Sequence, residues 1–231
     1  MVHVSILTPT YNRTQFIRRS IACYKSQTYP LNDMEWIILD DGTESAEALF
    51  CEAEFDGIPN IRYYREYNKM TIGAKRNKLN SLANGDIIVA WDDDDYYPPN
   101  RIDTIVKIFA SIPSEIQLVG SSLMYMYMPD KTIWSIGPFH KNHSSNATLA
   151  YRRSYIRSHE YDNNTCQTEE PHFLNHYKET MIQMDPMTAI LVMTHNSNTV
   201  SKDISRNAAA KPTALKLQDF IKDPEIYKMF A

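Results

Sequence analysis

Glycine is scarce in this 231-residue chain: there are six, and none falls into a G-x-G-x-x-G or G-x-x-x-x-G-K run. A Rossmann dinucleotide turn and a Walker P-loop both need glycine where backbone N–H groups close on phosphate, so both are excluded. A nucleotide, if bound, is held by something other than a glycine cradle. Cysteine is scarcer still. Cys23, Cys51 and Cys166 are widely spaced, odd in number and form no metal-type pair, which points to free thiols in a reducing compartment. There is no run of 18 apolar residues, so no membrane span is expected. The first residues pass straight into a strand pattern without the apolar core of a signal peptide, and the expected location is cytoplasmic. Basic excess is absent too: a net charge of -4 argues against a nucleic-acid partner, which calls for a basic face.

Against these absences stands one stretch, Asp86-Ile87-Ile88-Val89-Ala90-Trp91-Asp92-Asp93-Asp94-Asp95. Its mostly apolar first part, with three β-branched residues, has the composition of a fully buried strand. Four consecutive carboxylates close it, and Tyr96, Tyr97, Pro98, Pro99 and Asn100 follow. Adjacent negative charges repel and raise one another's pKa unless a cation shares the site. Open α/β sheets bind ligands at the carboxyl ends of their strands, where this cluster falls. Carboxylate oxygens are hard ligands that suit Mg2+ or Mn2+, ions that commonly bridge to substrate phosphates. The competing reading is a solvated acidic turn capping the helix that starts near Pro98. The buried strand before the acids and the Pro-Pro helix start after them favour the metal site.

Residues 2–7 read as a first buried strand. The polar loop Thr8-Pro9-Thr10-Tyr11-Asn12-Arg13 follows, then a helix whose Phe16, Ile17, Ile21 and Tyr24 share a face. Such a loop is a normal place for a ligand, although Thr-Pro-Thr can equally be a plain turn. A second strand over 35–39 ends in Asp40-Asp41-Gly42-Thr43, where a carboxylate can accept from a base or ribose, or cap the helix over 44–55. A third strand spans 61–67. Thr71 then caps a helix closed by Gly85, with Lys75 and Arg76 in its first turn, where positive charge opposes the dipole. With an anion present, N–H groups, dipole and two cations make a diphosphate site; the plain alternative is a surface salt bridge. A helix over 98–110 completes a β-α-β-α-β-α-β-α order, which predicts a largely parallel sheet covered on both faces.

The second half reads differently. Residues 117–128 and 131–136 predict an antiparallel pair turning at Pro129-Asp130. The polar stretch 140–145 reads as a mobile loop, and 147–155 as a strand carrying Tyr151. The sequon Asn146-Ala147-Thr148 carries little weight without a secretion signal. Thr168-Glu169-Glu170 opens a helix to about residue 179, and carboxylates in a first turn are ordinary dipole chemistry. A strand-like segment over 181–194, broken at Asp185-Pro186, ends at His195. A lone histidine after a strand is commonly structural. The tail over 212–231 reads as an amphipathic helix. Neither linker nor repeat separates the halves.

In order, these motifs resemble family 2 glycosyltransferases of the GT-A fold across residues 2–200. The segment 4–13 is similar to the family's opening strand and nucleotide loop, and Asp40-Asp41-Gly42-Thr43 to its Asp-Asp-Gly-Ser, whose second aspartate contacts uracil. Ile72-Gly73-Ala74-Lys75-Arg76-Asn77 resembles its Gly-x-x-Arg-Asn helix start. Asp92-Asp93-Asp94-Asp95 with Pro99 matches its Asp-x-Asp-Asp-x-x-x-Pro metal motif, and Thr168-Glu169-Glu170 resembles Thr-Glu-Asp, whose last acid is the base. Two departures stand out: Glu170 replaces aspartate, which leaves Glu169 or Glu170 as base, and no Gln-x-x-Arg-Trp follows, against a processive synthase.

The resemblance implies an α/β GT-A fold in one domain, Rossmann-like, with a mostly parallel central sheet and a small antiparallel acceptor-side sheet. Residues 1–110 would bind the nucleotide sugar and 111–200 the acceptor, with 201–231 a helical tail. The implied reaction is inverting, metal-dependent transfer of a hexose from a UDP-sugar to a hydroxyl of a glycan or other acceptor. Mn2+ or Mg2+ would sit on Asp94 and Asp92 with His195. Thr8, Pro9, Thr10, Tyr11, Asn12, Arg13 and Asp41 would hold the uridine, with Lys75, Arg76, Asp92 and Asp93 at the rest of the donor. Trp134, Tyr151 and residues 140–145 are the candidate acceptor contacts. Two alternatives compete: a nucleotidyltransferase or sugar-nucleotide pyrophosphorylase, which needs a glycine-rich loop this chain lacks, and a non-enzymatic metal- and carbohydrate-binding module.

Overall fold

The four apolar runs of the first half pair side by side in a computed structural model, which describes residues 1–195 and 208–231. They form β1 (Val4–Thr10), β2 (Met34–Asp40), β3 (Ile61–Arg65) and β4 (Ile87–Ala90), all parallel. Every residue of β1, β2 and β4 is buried, the signature of strands covered on both faces. Alternate residues serve opposite cores: Ile6, Trp36, Ile38 and Val89 on one side, Leu7, Ile37, Leu39 and Ile88 on the other. Helices α1 (Thr14–Lys25), α2 (Glu47–Phe55) and α4 (Arg101–Ser111) feed the first core through Ile17, Phe50 and Ile102. Leu79 of α3 (Ile72–Leu82) feeds the second. The predicted doubly covered parallel sheet is what forms.

The later elements are β5 (Leu118–Gly120), β6 (Met124–Tyr127), β7 (Ile133–Ile136), β8 (Ala150–Arg152), α5 (Glu170–Phe173), β9 (Met181–Gln183), α6 (Pro186–Ala189) and β10 (Leu191–Met193). After the undescribed residues come β11 (Ala210–Pro212), α7 (Leu217–Phe220) and α8 (Pro224–Phe230). The large sheet runs β3-β2-β1-β4-β8-β5-β9, with β8 antiparallel to both neighbours, and the small sheet runs β10-β6-β7-β11. The expected β6–β7 pair is antiparallel, with Tyr127 opposite Ile133, but β10 joins β6 in parallel, so the small sheet is mixed.

Several expected elements are divided. The single strand over 117–128 is two strands in different sheets. The backbone N–H groups of Ser121 and Ser122 donate to Thr148 Oγ1 (3.0 Å) and Gln183 Oε1 (2.7 Å) instead of a ladder. Segment 181–194 likewise splits between the sheets, with Asp185 capping α6 from its side chain. Only three residues of 147–155 are strand. The helix to residue 179 stops after Phe173, because Asn175, His176 and Tyr177 take left-handed φ of 46°, 53° and 61°. The tail is a strand and two short helices rather than one: Asp223 caps α8, accepting from Glu225 N at 2.8 Å. Its Phe220, Ile221, Ile226 and Phe230 pack into the first core.

Arg101 ties the halves together at the site. Its guanidinium is wholly buried and donates to the carbonyls of Ala90 (2.9 Å), Ala147 (2.9 Å) and Ala189 (3.0 Å), over the Tyr97 ring at 4.3 Å. The end of β4, the segment before β8 and the segment before β10 are thereby held at one point.

Candidate active site

At the carboxyl ends of the parallel strands lies a cleft of ≈ 610 Å³. Its walls are residues 9–13, 69–72, 75–76, the four acids 92–95, and 166–169. Three of the four acids, Asp93, Asp94 and Asp95, are buried, and no two of the four are held alike. Asp93 is 2% exposed and accepts from Thr10 Oγ1 at 2.6 Å and from Arg13 Nη1 at 3.0 Å. Burial, then the Asp94 charge, push the Asp93 carboxyl up to about 7, with Arg13 opposing. The same Arg13 nitrogen lies 2.5 Å from Asp94 Oδ2. Burial pulls against the Arg13 charge, but Asp93 and Asp94 outweigh it and leave the guanidinium held above its ordinary value. His195 Nε2 reaches the same Asp94 oxygen at 3.0 Å, and its ring leans on Phe16 at 4.3 Å. Asp95 works differently: its Oδ1 accepts the Met193 N–H at 2.7 Å and so fastens β10, two residues before His195, to the end of β4.

Asp92 turns the other way, toward α3. Arg76 donates from Nη2 to Asp92 (3.2 Å) and from Nε to Glu169 (2.7 Å). With the Asn146 amide oxygen facing the guanidinium, Arg76 Nη1 donates to it at 2.6 Å, and Asn146 donates to the Tyr161 hydroxyl. Thr71 caps α3 by accepting from Ala74 N at 3.3 Å. Gly73 is there because nothing larger fits: a Cβ would lie 1.9 Å from the Asp162 carbonyl oxygen. Lys75 is buried, donates to Asp41 and to the Thr10 carbonyl (3.1 Å), and has its pKa lowered by burial.

Expected site residues fall into three groups. Pro9, Thr10, Tyr11, Asn12, Arg13, Lys75, Arg76, Asp92, Asp93, Asp94 and Glu169 all line the cleft. Asn12, at φ 52°, also braces the next loop by accepting from Thr43 N at 2.6 Å. His195 meets the acids without lining the wall. Thr8, Asp41 and Glu170 stand outside it. Thr8 is fully buried and accepts from Trp36 Nε1 at 2.9 Å, which makes it a core residue rather than a nucleotide contact. Asp41 is 3% exposed, with one oxygen on Lys75 and the other accepting from Met70 N at 2.7 Å. Asp41 and Lys75 neutralise each other, so neither presents a bare charge.

Glu169 and Glu170 diverge as well. Thr168, at φ 58°, turns the chain so that Glu169 faces Arg76 in the cleft. Glu170 points its Oε1 at the Asn146 N–H (2.9 Å), and burial followed by the Glu169 charge raises its pKa. Of the acceptor candidates, Tyr151 is 2% exposed and donates to Asn80 Oδ1 at 2.6 Å, so it is a core residue. Trp134 is half-buried on β7 and lines no part of the cleft. The sequence did not single out Asn146, Lys69 or Met70. Asn146 was visible only as a sequon, yet it is 3% exposed and bonded on both sides, closed to glycosylation.

No group of three or more His, Cys, Asp or Glu side chains converges as a ready metal cage among the described residues. What does converge is a carboxylate oxygen and an imidazole nitrogen, Asp94 and His195, at one point of the cleft. Mg2+ and Mn2+ take one or two protein ligands where substrate phosphate completes the shell, so this donor pair fits such an ion. Asp92, paired with Arg76, is not part of that pair.

The mostly parallel sheet, with the acid cluster at the carboxyl end of its central strand β4 and Lys75 and Arg76 at the start of α3 lining the same cleft, has the GT-A fold. The chain belongs to glycosyl transferase family 2, whose model matches residues 5–176. Among curated relatives it is similar to the putative colanic acid biosynthesis glycosyl transferase WcaA of Escherichia coli K12, 33% identical over 122 residues, 53% of this chain and 41% of that protein. Solved GT-A structures share the fold. A mannosyltransferase of Pyrobaculum calidifontis in complex with GDP-Man and Mn2+ superposes with TM-score 0.69 at 14% identity, covering 85% of this chain and 58% of that one. TarS of S. aureus in complex with UDP-GlcNAc gives 0.67 at 15%, covering 94% and 63%. The chain spans less than half the length of the curated relatives it matches.

Proposed function

We propose that this chain is an inverting, metal-dependent glycosyltransferase that moves a hexose from a UDP-sugar to a hydroxyl of a glycan or other acceptor. One observation carries the reading: Asp93, Asp94 and Arg13 form a bonded cluster on the wall of the cleft that Arg76 also lines, with His195 on Asp94 from behind that wall. Residues 1–110 supply the donor half and 111–200 the acceptor half. The exposed free thiols Cys51 and Cys166 suit a reducing, cytoplasmic setting.

Asp94 and His195 would hold Mn2+ or Mg2+, which supplies positive charge to the diphosphate leaving group. Arg13 bridges Asp93 and Asp94 and balances their charge beside the diphosphate, while the Thr10 to Asn12 backbone frames the uridine. Arg76 faces the cleft with its charge set between Asp92 and Glu169. The acceptor hydroxyl oxygen bonds to the anomeric carbon from the face opposite the leaving group. The bond from that carbon to the phosphate oxygen breaks, its electron pair leaves with UDP, and the hydroxyl proton passes to Glu170. A base works best when its pKa approaches the working pH, and burial has raised that of Glu170. Glu169, held by Arg76, positions the segment instead.

The test is a screen of nucleotide sugars with Mn2+, read as UDP release, with NMR of the product's anomeric proton. UDP release with inverted configuration is expected. Pyrophosphate chemistry, or no turnover with any UDP-sugar, would overturn the reading.

A further inference from the structure

The acceptor side carries an aromatic cluster that the donor site does not use. Phe139 is 47% exposed, and its ring centroid lies 4.9 Å from His143, whose ring lies 5.2 Å from Tyr177. We propose that Phe139, His143 and Tyr177 form a stacking platform for a pyranose ring of the acceptor, which makes a glycan the substrate class on this side; the inference rests on the glycosyltransferase reading above.

The platform is built, not incidental. Ser122 Oγ accepts from the N–H groups of Phe139 (2.8 Å) and His140 (3.2 Å). Gln183 Nε2 donates to the carbonyls of Lys141 (2.9 Å) and His143 (3.0 Å). Asn142 Nδ2 donates to the Tyr177 carbonyl at 3.2 Å, joining the two segments that carry the rings. The loop read as mobile from sequence is thus fastened at both ends. Tyr177 closes a run of three left-handed non-glycine residues, conformations that persist only where the surroundings impose them and that concentrate at functional sites.

The same two segments meet again at Glu170. Asn146, three residues past His143, donates its N–H to the Glu170 carboxylate, and Leu174 N, which donates to the Glu170 carbonyl at 2.8 Å, is followed by Tyr177 N on the Leu174 carbonyl at 2.8 Å. The rings and the carboxylate are therefore fixed to one another through short hydrogen-bonded links. Burial, then His140, lower the His143 pKa, so its ring is neutral at pH 7 and its face apolar. A pyranose offers C–H faces and a hydroxyl rim. Exposed His140, Lys141 and His176 flank the ring residues along the chain and carry donors and acceptors for such a rim. An acyl chain or apolar peptide would need a continuous apolar groove, which these polar flanks interrupt.

Saturation-transfer NMR with methyl β-D-glucopyranoside, methyl β-D-galactopyranoside and the N-acetylglucosamine analogue, at millimolar concentration with UDP and Mn2+ present, tests this. At least one glycoside should take up saturation on its ring C–H protons. Phe139→Ala should weaken its binding about 2- to 10-fold, the range of one aromatic contact, and Phe139→Trp should restore it. UDP affinity, measured by calorimetry on the same samples, should not change. Glycoside binding indifferent to Phe139→Ala, or no glycoside binding by protein that takes UDP, would overturn the platform. Glycoside binding by protein that does not take UDP would overturn the donor reading and leave the platform standing.

Discussion

Replacing Arg76 by Met removes the guanidinium shared by Asp92 and Glu169. Both Arg76 and Glu169 are under 10% exposed and 2.7 Å apart, so Arg76→Met strands a carboxylate that water barely reaches. Breaking a buried pair by deleting one partner costs about 3–5 kcal/mol. The Asp92 side chain is 28% exposed, and solvent screening makes that arm worth little, which places the cost near the lower end, about 3 kcal/mol. For a chain of this size that is a fall in Tm of about 6–12 °C, read by circular dichroism at pH 7 without nucleotide. Adding Glu169→Gln removes the stranded charge, so the double variant should regain a large part of the lost Tm while UDP-sugar turnover stays low, because no cation faces the leaving group there. A single variant within about 2 °C of wild type, or a double variant no more stable than the single, would refute the argument.

Three further outcomes follow from the geometry. Burial and the Glu169 charge raise the Glu170 pKa, so the active base is lost as pH falls through a value above the ordinary glutamate range; kcat/KM should fall there, Glu170→Gln should abolish turnover, and Glu169→Gln should move the limb to lower pH. Thr8→Val should cost about 1–3 kcal/mol in urea unfolding, since Trp36 Nε1 loses its buried acceptor, with KM for the donor unchanged. Gly73→Ala gains helix propensity of about 1 kcal/mol. Its Cβ nevertheless collides with the backbone oxygen of Asp162, so the net should be a lower urea midpoint together with a higher donor KM, as the start of α3 shifts.

Much of the first half was legible because its signals are local. A strand buried on both faces must be apolar throughout, which is why β1, β2 and β4 stand out as runs, and four acids at such a strand's end have few stable surroundings. What stayed hidden depends on long-range partners. Nothing near Asp41 announces that Lys75 and the Met70 N–H will occupy it. Nothing near Thr8 announces Trp36, 28 positions away. The second half resisted most, since its strands are three or four residues long and backbone N–H groups such as those of Ser121 and Ser122 go to side chains, Thr148 and Gln183. Such short pieces carry too little periodicity to be told apart, which is why the sequence shows 117–128 as one strand where two lie in different sheets. The three left-handed residues at 175–177 carry only a weak signature: Asn175 and His176 are types enriched in that conformation, while Tyr177 is not.

Asp94 and His195 would together hold a divalent ion against a nucleoside diphosphate. Isothermal calorimetry with UDP, with Mn2+ and with chelator, on wild type and Asp94→Asn measures it directly. UDP should bind wild type at least about tenfold more tightly with Mn2+ than without, and Asp94→Asn should erase that difference. Equal UDP affinity with and without the metal, or a Mn2+ effect that survives Asp94→Asn, would contradict the account.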